Sequence, residues 1–324
     1  MFTTADQKDI NVLFLGGAKR VEMGMRFVEA GRLLGRNVSI YSYEINSRVP
    51  IAAIGQVIEG RRWSDPDILA DLKDVVDSND IAVIVPFVDG AVAVAARFAD
   101  AYPGVAFVPA GDADLAESMF DKVVAAEMFE KASLPIPETY VPGMPRLRLI
   151  AKPRHGSASK GIIAINSLDQ LDRVLDHAGE YLIQERIDDR REITVDCYVS
   201  VRTGDILAAV PRVRDSVSGG EVTESTTIHD TAVEDLARRT LKALNLRGAV
   251  TVQIIRDMSR NGVDDLMIME INPRLGGGAV LSVEAGADIP AMILREALGM
   301  DNEPCQRWRD IFMTRYQMGQ YFEV

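Results

Sequence analysis

Apolar residues in the first third of the chain come in short runs separated by longer amphipathic stretches. Asn11 to Leu15 is a compact apolar run entering Gly16 and Gly17, the pattern of a buried parallel strand that feeds a helix. Val21 to Leu34 carries Met25, Val28 and Leu33 at helical spacing and stops before Gly35. Val38 to Tyr43 reads as a second strand with Glu44 at its end, and Gln56 to Glu59 as a third. Asp65 and Pro66 supply a cap and a first-turn proline, so the next helix is expected to run from there to about Val76. Ile81 to Pro86 is another strand, followed by Asp89-Gly90 and an alanine-rich helix to Ala101, and Val105 to Val108 closes the set. Strand and helix alternate throughout. Residues 1–112 are therefore expected to form a parallel sheet covered by helices.

The pattern changes after Pro109. Asp114 to Ala132 reads as one helix carrying Asp121 and Lys122, followed by the proline-rich link Leu134 to Thr139. Leu147 to Pro153 is a strand with Lys152 at its end, and His155 to Gly161 is a loop of small residues rich in backbone donors. The next residues, from Ile162, are strand-like and the G-x-x-x-x-G-K-[ST] pattern is absent, so the loop suits a hairpin lid rather than a P-loop. Ser167 to Gln170 is a capping box that opens a helix with Leu168, Leu171, Val174 and Leu175 on one face. Tyr181 to Ile187 is a strand, and Glu192 to Ser200 alternates as an antiparallel strand that Gly204-Asp205 turns into Ile206 to Val210. Arg212 and Arg214 share one side of an extended segment leading to a loop from Ser216 to Glu221, after which Thr231 caps a helix to Leu244. Ala249 to Ile255 and the strand ending at Asn272 read as a hairpin through Asn261-Gly262, which lets Gln253 lie beside Glu270.

The richest chemistry sits in Met267 to Gly278, a short buried strand that runs through a polar cluster into three glycines. Alternate side chains of a strand share a face, so Glu270 and Asn272 point the same way while Ile271 enters the core. A carboxylate beside an amide oxygen suits Mg²⁺, which needs one or two carboxylates plus substrate phosphates. Arg274 is placed to meet the phosphate or acid that such a metal brings. The plainer reading is a surface turn, since Asn-Pro commonly starts one. Gly16 and Gly17 lack the remaining glycines of G-x-G-x-x-G and are read as a tight strand-to-helix turn, with a dinucleotide-dependent enzyme as the distant alternative.

Composition narrows the field. A chain of 324 residues suits two or three domains, and 47% hydrophobic with 26% charged residues is ordinary globular composition. The formal net charge of -12 argues against a nucleic-acid or anionic-membrane surface, since both need a basic field. Cys197 and Cys305 have no metal-ligand spacing and are expected as free buried thiols in a reducing compartment. The first nine residues lack the basic and apolar regions of a signal peptide, and no apolar run is long enough to span a bilayer. A cytoplasmic protein is expected, with no membrane or nucleic-acid partner and a homodimer left open.

Taken in order, these motifs resemble the ATP-grasp superfamily: Asp121-Lys122, Leu134 to Pro137, Lys152-Pro153 before a Gly/Ser loop, Gln184 to Ile187, Glu192, Gln253, and Glu270 to Arg274. Within it the chain looks most like the carbamoyl-phosphate-synthase large-subunit branch and its small carboxylate–amine ligase relatives. The resemblance implies α/β and α+β architecture: an N-terminal parallel-sheet (pre-ATP-grasp) domain over 1–112, a lid over 113–186 and a C-terminal domain over 187–324, with ATP between the last two. It implies that Lys122 and Lys152, with Ser157, Ser159 and Gly161 of the loop, hold ATP phosphates. Gln184, Glu185 and Ile187 would form the adenine hinge and Glu192 would meet the ribose. Gln253, Glu270 and Asn272 would hold Mg²⁺ or Mn²⁺, and Arg274 with Lys152 would serve the chemistry. One departure is that Gln253 is uncharged, and Asp257 nearby could compensate. The implied reaction is ATP-dependent activation of a small carboxylate as an acylphosphate for attack by an amine, or by a thiol. The alternatives are a carbamoyl-phosphate-synthase-like subunit, disfavoured because that chemistry needs two such units and an ammonia source, and a non-catalytic nucleotide-binding regulatory protein.

Overall fold

Strands β1 (Ile10–Leu15), β2 (Val38–Glu44), β3 (Gly55–Glu59) and β4 (Ile81–Pro86) form a parallel sheet in the order β3-β2-β1-β4. The computed structural model describes residues 9–143, 147–156, 160–260 and 263–322. Helix α1 (Val21–Leu33) connects β1 to β2, α2 (Ile68–Ser78) connects β3 to β4, and α3 (Asp89–Ala101) follows β4. The central strand β1 is buried along nearly its whole length, as expected where both sheet faces are covered. The chain leaves β1 toward β2 and β3, then returns to its other side as β4. Strand order thus reverses between β1 and β4, and a crevice opens at their carboxyl ends.

Three details of this layer differ from the sequence reading. The buried stripe of α1 is Met23, Phe27 and Ala30 with Gly24 and Gly31, whereas Met25, Val28 and Leu33 are exposed. The glycines decide the face: a Cβ at Gly24 would lie 2.5 Å from Ile54, so the side without Cβ atoms can press closest to the sheet. Helix α2 starts at Ile68, because the Asp65 carboxylate accepts the Asp67 N–H and an Arg61 N–H in a turn ahead of it. Val105 to Val108 meets the sheet through one bridge, Phe107 to Val83, rather than as a full strand.

Next come α4 (Ala113–Phe120) and α5 (Lys122–Lys131), where the sequence predicts a single helix. Asp121 divides them. Its backbone is extended, and its carboxylate accepts the N–H groups of Val123 and Val124 as the cap of α5. Strand β5 (Leu149–Pro153), strand β6 (Ile163–Ile165), helix α6 (Leu168–Leu175) and strand β7 (Tyr181–Glu185) follow, with an antiparallel sheet in the order β6-β5-β7. Half of the capping box forms: Ser167 Oγ accepts the Gln170 N–H, whereas Gln170 Oε1 accepts the Asn166 N–H rather than that of the cap residue. Leu149, Ala151, Ile165, Leu171, Val174 and Ile183 make a small core of their own, while Leu168 is exposed. Met119, Ala125 and Phe129 of α4 and α5 pack elsewhere, in the core of the sheet that comes next.

That third sheet is built from β8 (Arg190–Val199), β9 (Ile206–Ser218), β10 (Glu221–Thr227), β11 (Gly248–Asp257), β12 (Leu266–Asn272) and β13 (Phe312–Thr314), in the order β12-β11-β8-β9-β10-β13. Helix α7 (Thr231–Ala243) precedes β11, and α8 (Ala279–Ala285) and α9 (Ile289–Ala297) follow β12. The stretch read as a loop from Ser216 is the end of β9, and Gly219-Gly220 turns it tightly into β10 with positive φ at both glycines. Asp230, not Thr231, caps α7, its carboxylate accepting the Val233 N–H. Alternation splits the sheet into two chemistries. Val195, Cys197, Val250, Val252, Ile254, Ile268 and Ile271 pack under α7, while Glu192, Thr194, Asp196, Arg212, Arg214, Thr251, Gln253 and Glu270 lie on the other face. A shared core of Phe14, Phe27, Val83 and Phe87 with Tyr198, Leu275, Ile289 and Ile293 joins this sheet to the first layer. Cys197 is buried and Cys305 half-buried, both as free thiols. Among the described residues no helix is long and apolar enough to cross a membrane.

Candidate functional site

A cavity of about 1240 Å³ lies between the β5-β7 sheet and the polar face of the six-stranded sheet, and reaches the carboxyl ends of β1 and β4. The two-residue repeat of β5 decides what it offers. Leu149 and Ala151 enter the small core, so Ile150 and Lys152 face the cavity. Lys152 is 8% exposed, and its Nζ donates to Gln184 Oε1 at 2.9 Å. The Gln184 amide is held in turn by donating to the Pro137 carbonyl at 3.0 Å. Burial pulls the Lys152 pKa down to about 8; Glu270 opposes the shift, and the positive Lys122 and Arg190 add to it.

Lys122, the first residue of α5, donates from Nζ to the Gly156 carbonyl at 2.8 Å, and its backbone N–H bonds the Arg154 carbonyl. Asp121 accepts from Arg154 Nε at 2.6 Å. Burial alone would raise the Asp121 pKa, but Arg154 and the two capping N–H groups outweigh it and hold the carboxyl below its usual range. Both lysines line the cavity. On the wall beyond them, the Glu185 carboxylate accepts the Glu138 N–H at 3.1 Å. The Ile187 side chain packs with Ile255 and Met267. Glu192 pairs with Arg190 at 3.1 Å and lies 3.8 Å from Arg214.

Opposite the lysines, polar side chains run in one connected row. Gln253 and Glu270 are cross-strand partners, as the hairpin pattern predicts. Gln253 Nε2 and Asn272 Nδ2 both donate to Glu270 Oε1, at 2.8 and 2.7 Å. Arg214 Nη1 donates to Gln253 Oε1 at 2.6 Å, and Arg274 Nη2 to Asn272 Oδ1 at 3.4 Å. Arg274 Nε then reaches across to Asp89 Oδ1 at 2.7 Å, at the start of α3. Thr251 fixes the turn that follows: its Oγ1 donates to the Arg274 carbonyl and accepts the Gly276 N–H.

This donor set fits a divalent cation that arrives with phosphate oxygens. Among the described residues no cluster of three or more His, Cys, Asp or Glu side chains could hold a metal alone. Glu270 supplies one carboxylate. Turning the Asn272 amide about its terminal bond would set Oδ1, in place of Nδ2, beside that carboxylate, giving the hard-oxygen pair that Mg²⁺ takes.

Lys122, Lys152, Gln184, Glu185, Ile187, Glu192, Gln253, Glu270, Asn272 and Arg274 all line the one cavity. Gly161 does not: it is exposed, with a positive φ, against Pro153. Ser157 and Ser159 lie outside the described residues, as does the Asn261-Gly262 turn. Asp257 cannot compensate for Gln253. It is four residues along β11, roughly 13 Å away at strand rise, and its carboxylate is bound by Ser259 and Arg260. Sequence reasoning missed Arg20 and Asp89, which join the site only through the topology of the first layer. The alternation of Arg212 and Arg214 was the visible signal for the cavity face of β9.

Residues 178–318 match the family described as ATP-grasp in the biosynthetic pathway with Ter operon. No curated protein matches the chain in sequence. Solved structures do match in shape. The N5-carboxyaminoimidazole synthetase from Staphylococcus aureus, complexed with ADP, superposes with a TM-score of 0.74 at 13% identity, covering 97% of this chain and 84% of its own. The biotin carboxylase domain of the Hydrogenobacter thermophilus 2-oxoglutarate carboxylase, a dimer with MgADP, ADP and bicarbonate, gives 0.70 at 17% identity, covering 92% and 71%. An L-amino acid ligase from Bacillus licheniformis gives 0.67 at 13% identity, covering 91% and 75%. The chain has the ATP-grasp fold, and its match to an ATP-grasp family falls on the part that carries the Glu192 to Arg274 row.

Proposed function

We propose that the protein is a Mg²⁺- and ATP-dependent ligase that activates a carboxylate as an acylphosphate and passes the acyl group to an amine. The observation that carries this reading is one cavity that sets two lysines suited to phosphate against a carboxylate–amide pair and an arginine. Lys122 and Lys152 stand on one wall, Glu270, Asn272 and Arg274 on the other. The ADP and MgADP complexes of the structural neighbours support it.

In this reading ATP lies between the β5-β7 sheet and the six-stranded sheet. Lys152 and Lys122 contact its phosphates, the chain from Gln184 to Ile187 borders the adenine, and Glu192 meets the ribose. Glu270 and Asn272, with Gln253 beside them, would hold Mg²⁺, which would supply charge neutralisation at the phosphate oxygens. A carboxylate oxygen of the acid attacks the γ-phosphorus, and the bond to the β–γ bridging oxygen breaks with its electron pair leaving on ADP. Arg274, fixed by Asp89, faces the phosphoryl group and balances its charge. The amine lone pair then attacks the acyl carbon, the nitrogen loses a proton, and inorganic phosphate departs with the bonding electrons.

The test is to supply Mg·ATP with a panel of amino acids, bicarbonate and small acids, and to identify the nucleotide product. ADP is expected with the true acid, and hydroxylamine should trap a hydroxamate only when ATP and that acid are both present. Release of AMP and pyrophosphate instead would mean adenylation and would sink the reading.

A further inference from the structure

We propose that the acid substrate carries a second anionic group, carboxylate or phosphate, and that Arg20 receives it at the carboxyl end of β1. The inference rests on the ligase reading for the word substrate, but the anion site can be measured without it.

Arg20 is the last residue of the turn between β1 and α1, and it lines the cavity. Among the described residues its side chain makes no hydrogen bond or ion pair; its guanidinium lies over the Phe87 ring at 5.9 Å. The guanidinium is half-buried and its nitrogens are not among the buried unpartnered atoms, so its five N–H donors stay open to the cavity, where a ligand can take them. The other arginines nearby are committed: Arg274 to Asp89, Arg212 to Asp196, and Arg315 to the Gly277 carbonyl. Burial lowers the Arg20 pKa from its ordinary value, Glu221 opposes this, and the charges of Arg274 and Arg315 add to it. Glu221 is near enough to act through space but forms no ion pair with Arg20.

The surroundings repeat the message. Gly277 and Gly278 lie between two guanidiniums: a Cβ on Gly277 would be 2.7 Å from Arg20 Nη1, and one on Gly278 would be 2.7 Å from Arg212 Nη1. Arg212 is 3% exposed, and its Nη1 has no acceptor although Nε and Nη2 hold Asp196. Two guanidiniums thus converge on the glycine turn of a protein whose net charge is -12. The place is also where open parallel sheets bind ligands, since Arg20 follows β1 and Asp89 follows β4 at the reversal of strand order. Arg274 and Arg20 line the same cavity, near enough for their charges to interact, so the two anionic groups are joined by a short chain. A short dicarboxylic or phosphorylated acid meets this requirement, and a simple monocarboxylate leaves Arg20 unpaired.

The experiment is calorimetric titration of wild type, Arg20→Met and Arg20→Lys with succinate, 3-phosphoglycerate, inorganic phosphate and acetate, each with and without a non-hydrolysable Mg·ATP analogue. Wild type should bind at least one dianion about tenfold or more tightly than acetate, the scale of one charge-assisted bond. Arg20→Met should lose that preference, Arg20→Lys should keep part of it, and both should bind the nucleotide analogue as wild type does. Succinate against 3-phosphoglycerate tells which anion is received. Dianion affinity equal in wild type and a folded Arg20→Met, or no anion binding to wild type at all, would overturn the site. Failure of wild type to bind the nucleotide analogue would instead remove the ligase reading and leave an Arg20-dependent anion site standing.

Discussion

Lys152 shows how much one residue's environment can decide. Its ammonium is buried with a neutral amide oxygen as its hydrogen-bond partner, so its pKa sits at about 8. Phosphate oxygens beside it would restore the charged form. Above pH 8, ATP binding should therefore take up a proton, and affinity should fall as pH rises. Calorimetry at about pH 8.5 in buffers of different ionisation heat should show uptake for wild type and none for Lys152→Met, which should also bind ATP about 1–3 kcal/mol more weakly. The stability sign follows from the same shift. The unfolded chain holds more protons than the folded one between about pH 8 and the ordinary lysine value, so this group's contribution to stability rises with pH across that window. Urea titrations should show that rise in wild type and not in Lys152→Met. At this scale the sequence was informative where chemistry is local. Glu270 and Asn272 share a face because strands alternate, and Gln253 meets Glu270 because a hairpin pairs them. Arg20 and Asp89 were not legible, since nothing near them in sequence says that two distant strand ends meet a third sheet.

Among the elements, the break between α4 and α5 has the clearest consequence. Asp121 caps α5, binds Arg154, and so fastens the start of that helix to the chain after β5, where Lys122 holds Gly156. Asp121→Ala should cost about 1–2 kcal/mol of stability from the lost cap and should raise the KM for ATP by releasing Lys122. Because the Asp121 carboxyl is held low, its contribution is full above the ordinary carboxylate range and fades as pH falls through its lowered value. Denaturation of wild type and variant should converge in strong acid. The break was hidden because Asp114 to Ala132 keeps helical periodicity on both sides, and an aspartate inside such a run reads as a surface residue. Helix α1 misled in a similar way. Its conspicuous Met25, Val28 and Leu33 outweigh Gly24 and Gly31 in any pattern count, although the glycines mark the packed side. Capping boxes and hairpins were legible because their partners lie within a few residues.

Across the whole molecule, the bond between Arg274 and Asp89 joins the six-stranded sheet to the parallel layer at the cavity. Binding and turnover should separate along this line. Asp89→Asn should leave Mg·ATP affinity unchanged and lower acid-dependent ADP release by about tenfold or more, the scale of one charge-assisted bond. Glu270→Gln should still bind the adenine end and lose on the order of 10²–10³ in turnover. Equal losses of nucleotide binding and turnover in Asp89→Asn would show that Asp89 supports the fold rather than the chemistry. The order of motifs along the chain made the fold legible. The way the three sheets meet did not show, because it depends on a shared core of Phe14, Phe87, Ile289 and Ile293 whose members are far apart in sequence.

The single carboxylate at the head of this row has a kinetic meaning. In the proposed metal site, with amides at Gln253 and Asn272, the protein alone would offer a lone negative charge to a doubly charged ion, too little to strip Mg²⁺ of its water. The nucleotide must bring the rest of the charge, so metal and ATP should arrive as one species in an ordered sequence. Free Mg²⁺ should leave the melting temperature unchanged, Mg·ATP should raise it, and Gln253→Glu should make the protein respond to the ion alone. The protein would then answer to the supply of the complex rather than to the supply of magnesium.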